Sequence, residues 1–162
     1  FSGEQPYWTI VGVDGGADQG LIGEDGAIEL AKGGFSIEPF VQVDGKAVGW
    51  ADVVATQSLQ DGYLPMPGVH WTHPAFALDV GAFAAGDPEH ARLWARYRLT
   101  NTGATTRNYV LALAVRPWQV NPPSQFLNTP GGWSPIRHLV LDAAGAMVEA
   151  GDGEMPARHV RL

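Results

Sequence analysis

Five Asp-Gly pairs, at Asp14-Gly15, Asp25-Gly26, Asp44-Gly45, Asp61-Gly62 and Asp152-Gly153, divide the chain into short apolar stretches. Tight hairpin turns need positive backbone φ at their central residues, and Asp followed by Gly reaches that region at little cost. With 21 Gly and 12 Pro among 162 residues, helices of ordinary length have few places to run. The expectation is many strands joined by turns.

Between the turns the side chains alternate. The clearest hairpin runs through residues 35–43, turns at Asp44-Gly45-Lys46 and returns through Ala47, Val48, Gly49 and Trp50. Pro39 predicts an edge or a bulge there, because proline has no N–H to give a ladder. Strands are also expected over 52–59 and 76–83, with Phe76, Leu78, Val80 and Ala82 on one face. Asp87-Pro88-Glu89 has the chemistry of a helix start, but Leu93, Ala95, Tyr97 and Leu99 then alternate with Trp94, Arg96, Arg98 and Thr100. Period two predicts a strand. Beyond the Asn101-Thr102-Gly103 break, Tyr109, Leu111, Leu113 and Val115 alternate with Val110, Ala112, Ala114 and Arg116. Two apolar faces predict a central strand covered on both sides. Residues 117–135 have the composition of a loop, 136–141 of a short strand, 143–146 of a turn, and the remainder of a frayed tail.

Strands at this spacing point to an all-β fold, an antiparallel two-sheet β-sandwich occupying residues 1–162 as a single domain, with a jelly roll or closed barrel as the alternatives. The chain begins at Phe1 and stops in an extended segment, His159-Val160-Arg161-Leu162, so it is expected to be a fragment of a larger multidomain protein.

A hydrophobic content of 45% with 17% charged residues excludes a disordered chain, and no apolar run approaches the roughly 20 residues of a membrane helix. Ten Lys+Arg against 17 Asp+Glu give a net charge of -7, which disfavours nucleic acid and anionic membranes as partners. The absence of cysteine removes thiolate nucleophiles and Cys-ligated zinc and leaves the compartment unaddressed. No cofactor is expected.

His70 and His73 invite a metal, but positions three apart on a strand face opposite sides of a sheet. Asp14 and Asp18 lack the dense acidic spacing of a calcium loop and are expected to serve a turn. Glu24, Asp25, Glu29, Glu38, Asp52, Asp61 and Asp79 are the candidates for paired-carboxylate catalysis. Most are expected to be solvated turn or surface carboxylates. There is no nucleophile elbow around any serine and no phosphate-binding Gly-rich run. No catalytic or metal-ligating residue is assigned.

Six tryptophans carry the strongest hint, because an indole face stacks on a sugar ring while its N–H binds a hydroxyl. Trp8, Trp50 and Trp94 fall in expected strands, where packing is the default. Trp118 and Trp133 instead bracket a long loop, 117–133, rich in proline, amides and aromatics. That is the profile of a functional or interface-forming loop. Trp118, Gln119, Asn121, Gln125, Phe126, Asn128 and Trp133 are the candidate ligand or interface residues.

Three stretches resemble a known group of proteins: Gly33-Gly34-Phe35-Ser36-Ile37-Glu38-Pro39-Phe40, then Ala95-Arg96-Tyr97-Arg98-Leu99-Thr100-Asn101-Thr102-Gly103, then Arg116-Pro117-Trp118-Gln119-Val120-Asn121-Pro122-Pro123 with Phe126-Leu127-Asn128-Thr129-Pro130-Gly131-Gly132. They are similar to a segment of large bacterial proteins resembling six-hairpin glycosidases, some of which carry discoidin (F5/8 type C) modules. In that group of glycoside hydrolases and phosphorylases, a β-supersandwich domain precedes a helical toroid that bears the catalytic acids. The resemblance implies a non-catalytic accessory domain that packs against a helical catalytic domain of the same parent chain and forms one rim of a carbohydrate site. An autonomous carbohydrate-binding module, and a glycosidase using a carboxylate pair, are the alternatives.

Overall fold

A computed structural model describes residues 7–31, 33–125, 131–141, 147–151 and 158–161. It shows an all-β, antiparallel sandwich. The first sheet contains β1 (Trp8–Val11), β2 (Gly20–Gly23), β3 (Ile28–Glu29), β4 (Ser36–Val43), β5 (Lys46–Val48) and β10 (Tyr109–Arg116), in the order β1-β2-β3-β4-β10 with β5 also beside β4. The second is a meander of β6 (Val54–Gln60), β7 (Leu64–His73), β8 (Phe76–Ala85) and β9 (Arg92–Asn101). A third, small sheet is formed by β11 (His138–Leu141), β12 (Met147–Gly151) and β13 (Arg158–Arg161). Every pairing is antiparallel.

The turn chemistry acts where it was expected. Val43 pairs with Lys46 across Asp44-Gly45, whose φ values of 51° and 77° are those of a two-residue hairpin turn that matches strand twist. Asp61 and Gly62 have φ of 53° and 80° in a three-residue turn, 61–63, between Gln60 of β6 and Leu64 of β7. Asp152-Gly153 lies outside the described residues, as do 143–146. Asp87 does not start a helix; its Oδ1 accepts the N–H groups of Glu89 and His90 in a turn, and β9 follows. Strand alternation therefore outweighs the cap signal.

Alternation also builds the core. Val41, Val43 and Val48 of the first sheet face Val69, Trp71, Phe76, Leu78, Val80 and Ala82 of the second, with Val11, Ile22 and Ile28 completing one cluster. Trp71 is 0% exposed and donates its indole N–H to the carbonyl of Asp25, 3.0 Å away, so the largest core side chain also fixes the β2–β3 turn. The same face of β4 and β10 continues beyond the second sheet, where Phe35 and Ile37 pack with Leu113, Val115, Ile136 and Val160 of the small sheet. The 158–161 segment is therefore a strand, not part of a frayed tail, because Val160 helps to cover this cluster.

Two further expectations need correction. Pro39 lies on an interior strand, where β4 passes from its pairing with β3, which ends at Ile37, to its pairing with β5, which begins at Val41. On that side no ladder partner is lost. β10 is not central: among the described residues it pairs only with β4, and Val110 and Ala112 on its outer face are exposed. Two apolar faces mark a covered strand only if something covers the second one.

Candidate functional site

The loop 117–133 is fastened at its neck, at its middle and to its neighbours. Trp118 and Trp133 form an antiparallel bridge, Gln119 N–H donates to the Gly132 carbonyl at 3.0 Å, and Ser134 N–H donates to the Pro117 carbonyl at 2.9 Å. The Gln119 side chain adds a third tie, its Oε1 accepting Gly132 N–H at 2.8 Å. Gly132 has a φ of 81°, and a Cβ there would lie 2.2 Å from Pro123 Cδ, so only glycine allows the two limbs to meet. A single 3-10 turn at Pro123–Gln125 closes the described part of the loop. Phe126 and Asn128 lie outside the described residues.

Below the loop sits a carboxylate that the turn-and-surface expectation missed. Glu29 is only 3% exposed. Its Oε1 accepts Gly33 N–H at 3.0 Å and its Oε2 accepts Val120 N–H at 2.9 Å, joining β3 to the 117–133 loop. Register places it on the outer face of the first sheet, since Glu29 pairs with Ser36 while its neighbour Ile28 pairs with inward Ile37. Desolvation raises its pKa above the ordinary range, partly offset by the backbone N–H groups it accepts. A lone acid inside the apolar run Ala27-Ile28-Glu29-Leu30-Ala31, between glycine turns, was the signal that could have found it.

Glu38, on the same outer face, is held at 2.8 Å by Arg116. Its pKa is also raised by burial, with Arg116 opposing and Asp25 adding to the rise. Asp25 accepts Ala27 N–H at 2.9 Å and is likewise raised by burial. Asp52 caps a turn by accepting Gly49 N–H, and Asp79 hydrogen-bonds His70 at 2.7 Å. His73 is turned to the other side, stacked on Phe76 with centroids 4.7 Å apart, so the two histidines do face opposite ways.

The candidate polar residues of the loop are therefore partly engaged. Asn121 Oδ1 and Gln125 Oε1 both accept from the Trp8 indole N–H, at 3.3 and 3.0 Å, and Gln119 holds Gly132. Trp8 is thus a support of the loop. The two bracketing indoles are different: Trp118 is 52% and Trp133 55% exposed, and as bridge partners their side chains rise from one face. Beside the loop a groove of about 390 Å³ is lined by Val120, Pro122, Trp50, Val53, Asp25 and Tyr7. Aromatic and apolar surface is thus held in place by a buried anchor.

Comparison of the chain with models of known protein families, with curated proteins and with solved structures finds no match.

Proposed function

We propose that this chain is a non-catalytic accessory β-sandwich domain of a carbohydrate-active protein, and that its 117–133 loop face packs against a helical catalytic domain at the rim of a sugar site. The observation that carries the reading is the pair of half-exposed indoles, Trp118 and Trp133, at a loop neck held by Glu29, Gln119 and Trp8. A loop neck fixed in advance loses little entropy on docking, and large aromatic side chains supply the buried area that dominates interfaces. The motif resemblance supplies the class of partner.

The carboxylates support the non-catalytic part. Glu29 is occupied by two backbone N–H groups, Glu38 by Arg116, and Asp25 by Ala27 N–H. Glu29 and Glu38 each fasten one segment to another, and Asp25 closes the turn between β2 and β3.

The test replaces Trp118 and Trp133 by Ala, singly and together, in the full-length gene product and in this chain alone. The expected result is loss of catalytic-domain docking and of glycan turnover in the full-length protein, with the melting temperature of the isolated chain unchanged. A full-length protein without a helical domain, or variants with undiminished docking, would overturn the proposal.

A further inference from the structure

The outer face of the second sheet carries a trough to which no residue of the 117–133 loop contributes among the described residues. Strand registers stack its side chains in rows. One row runs Thr56, His70, Asp79, Arg98 across the four strands, and the next runs Ser58, Gly68, Gly81, Arg96. Beyond it Phe83 pairs with Trp94, their rings stacked with an interplanar angle of 11° and centroids 6.4 Å apart. Two adjacent glycines in the middle row leave a trough between a polar wall and an aromatic wall. The trough encloses about 450 Å³, and a Cβ on Gly81 would meet nothing within 4 Å.

The dimensions and chemistry select an occupant. Four strands at 4.7–4.9 Å spacing give a floor about 14 Å long, and alternate residues put the walls about 13 Å apart at the backbone. That admits a short oligosaccharide lying across the strands. The glycine floor lets a ring approach the backbone, while Phe83, which lines the trough, is 39% exposed and is stacked with Trp94, can pack on its C–H surface. His70 and Asp79, bonded to one another and each nearly half exposed, leave an imidazole nitrogen and a carboxylate oxygen for hydroxyls.

Both signs of charge line the trough: Asp61 lies at the β6 end, Asp79 beside Arg98 on β8, and Arg96 and Arg98 at the β9 edge. Among the described residues these two arginines form no ion pair. A guanidinium binds a carboxylate through two parallel hydrogen bonds, so a pair of them at one end of a sugar trough is suited to a uronic acid. A chain of phosphates fits poorly, with these two arginines set against a net charge of -7.

We propose that this trough binds an acidic oligosaccharide, its carboxylate on Arg96 and Arg98, its hydroxyls on the His70–Asp79 pair and its ring face on Phe83. The site is separate from the 117–133 loop and stands without the docking reading.

The test is calorimetric titration of the 162-residue chain with trigalacturonate and with its uncharged methyl ester. The expected result is saturable binding of the acid and at least tenfold weaker binding of the ester. Gly81→Val fills the trough where there is open space, in a residue type that suits strands, and should lower affinity at least tenfold with no change in melting temperature. If Gly81→Val does lower the melting temperature, the double variant Arg96→Ala/Arg98→Ala, which alters exposed side chains only, carries the test and should show the same loss. Trp118→Ala should leave this binding unchanged, which separates the outcome from the fate of the docking loop. No binding of the acid, equal binding of the ester, binding that survives the substitutions, or a preference for an acidic peptide or an oligodeoxynucleotide would each overturn the proposal.

Discussion

Replacing Glu29 by Gln asks whether the buried carboxylate holds the near limb of the 117–133 loop in place. The shape of the side chain is kept, but one acceptor oxygen becomes an NH2 group with no lone pair. One of the two N–H groups it now satisfies, that of Gly33 at 3.0 Å or that of Val120 at 2.9 Å, must then face another donor in a site that is 3% exposed. An unsatisfied buried donor costs about 1–3 kcal/mol. At pH 5 the Gln variant should be less stable by that amount, and the Val120 amide proton should exchange roughly 5- to 150-fold faster.

The pH dependence adds a second, sharper constraint. Burial raises the pKa of Glu29 above 4.5, so the folded chain keeps this proton at pH values where the unfolded chain has released it. Stability contributed by such a group is full below the unfolded value and is lost as pH rises through the folded one. The protonated acid can still accept an N–H on its hydroxyl oxygen, which the amide nitrogen of Gln cannot do. The stability gap between wild type and variant should therefore narrow as pH rises from about 4.5 toward neutrality. Denaturant titrations from pH 4 to pH 8, with hydrogen exchange resolved at Val120, measure both effects. A gap of zero at pH 5, or one that widens with pH, would refute the reasoning.

Two other outcomes follow from the packing. Tyr97 faces the core opposite Val80, its hydroxyl is buried with no hydrogen-bond partner among the described residues, and burial pushes its pKa up to about 12. Tyr97→Phe should be at least as stable at pH 7 and should not show the loss of stability expected for wild type as pH climbs from about 10 through 12; thermal melts across that range check it. Gly132→Ala would place a Cβ 2.2 Å from Pro123 Cδ and 2.3 Å from the Pro123 backbone nitrogen, so the loop neck must open. Faster exchange at Gln119 N–H with little change in the core amides is the expected signature, and unchanged exchange at Gln119 would count against the packing described.

Much of the fold was legible because it is local. Alternation from Leu93 to Thr100 and the φ preferences of Asp44-Gly45 act within a few residues, and both gave the observed elements. What was not legible depends on partners distant in sequence. Pro39 signalled a break in pairing, but that the break lies between β3 and β5 on an interior strand is set by register. The apolar second face of β10 implied a cover that the described residues do not supply. Of the site, the loop 117–133 stood out by composition, while its anchor did not, because Glu29 and Val120 are 91 residues apart.

The same distinction accounts for the second site. Trp94 sits on a strand, where burial is the ordinary expectation, yet its parity with Arg96 and Arg98 assigns it to the face opposite Tyr97 and Leu99. Gly68 and Gly81 are unremarked punctuation in a chain with 21 glycines until register sets them side by side. Glycine in a strand interior costs stability because it gives up packing and side-chain bulk, so two of them abreast in a central pair of strands call for a reason. The proposed ligand, which needs close approach to the backbone, supplies one, and the aromatic pair on one side of the glycines, the His70–Asp79 pair on the other and the arginines at the β9 end match its chemistry. The loop face, with its two half-exposed indoles, and the sheet face, with its glycine floor between Phe83 and the His70–Asp79 pair, thus differ in chemistry as the two proposals require.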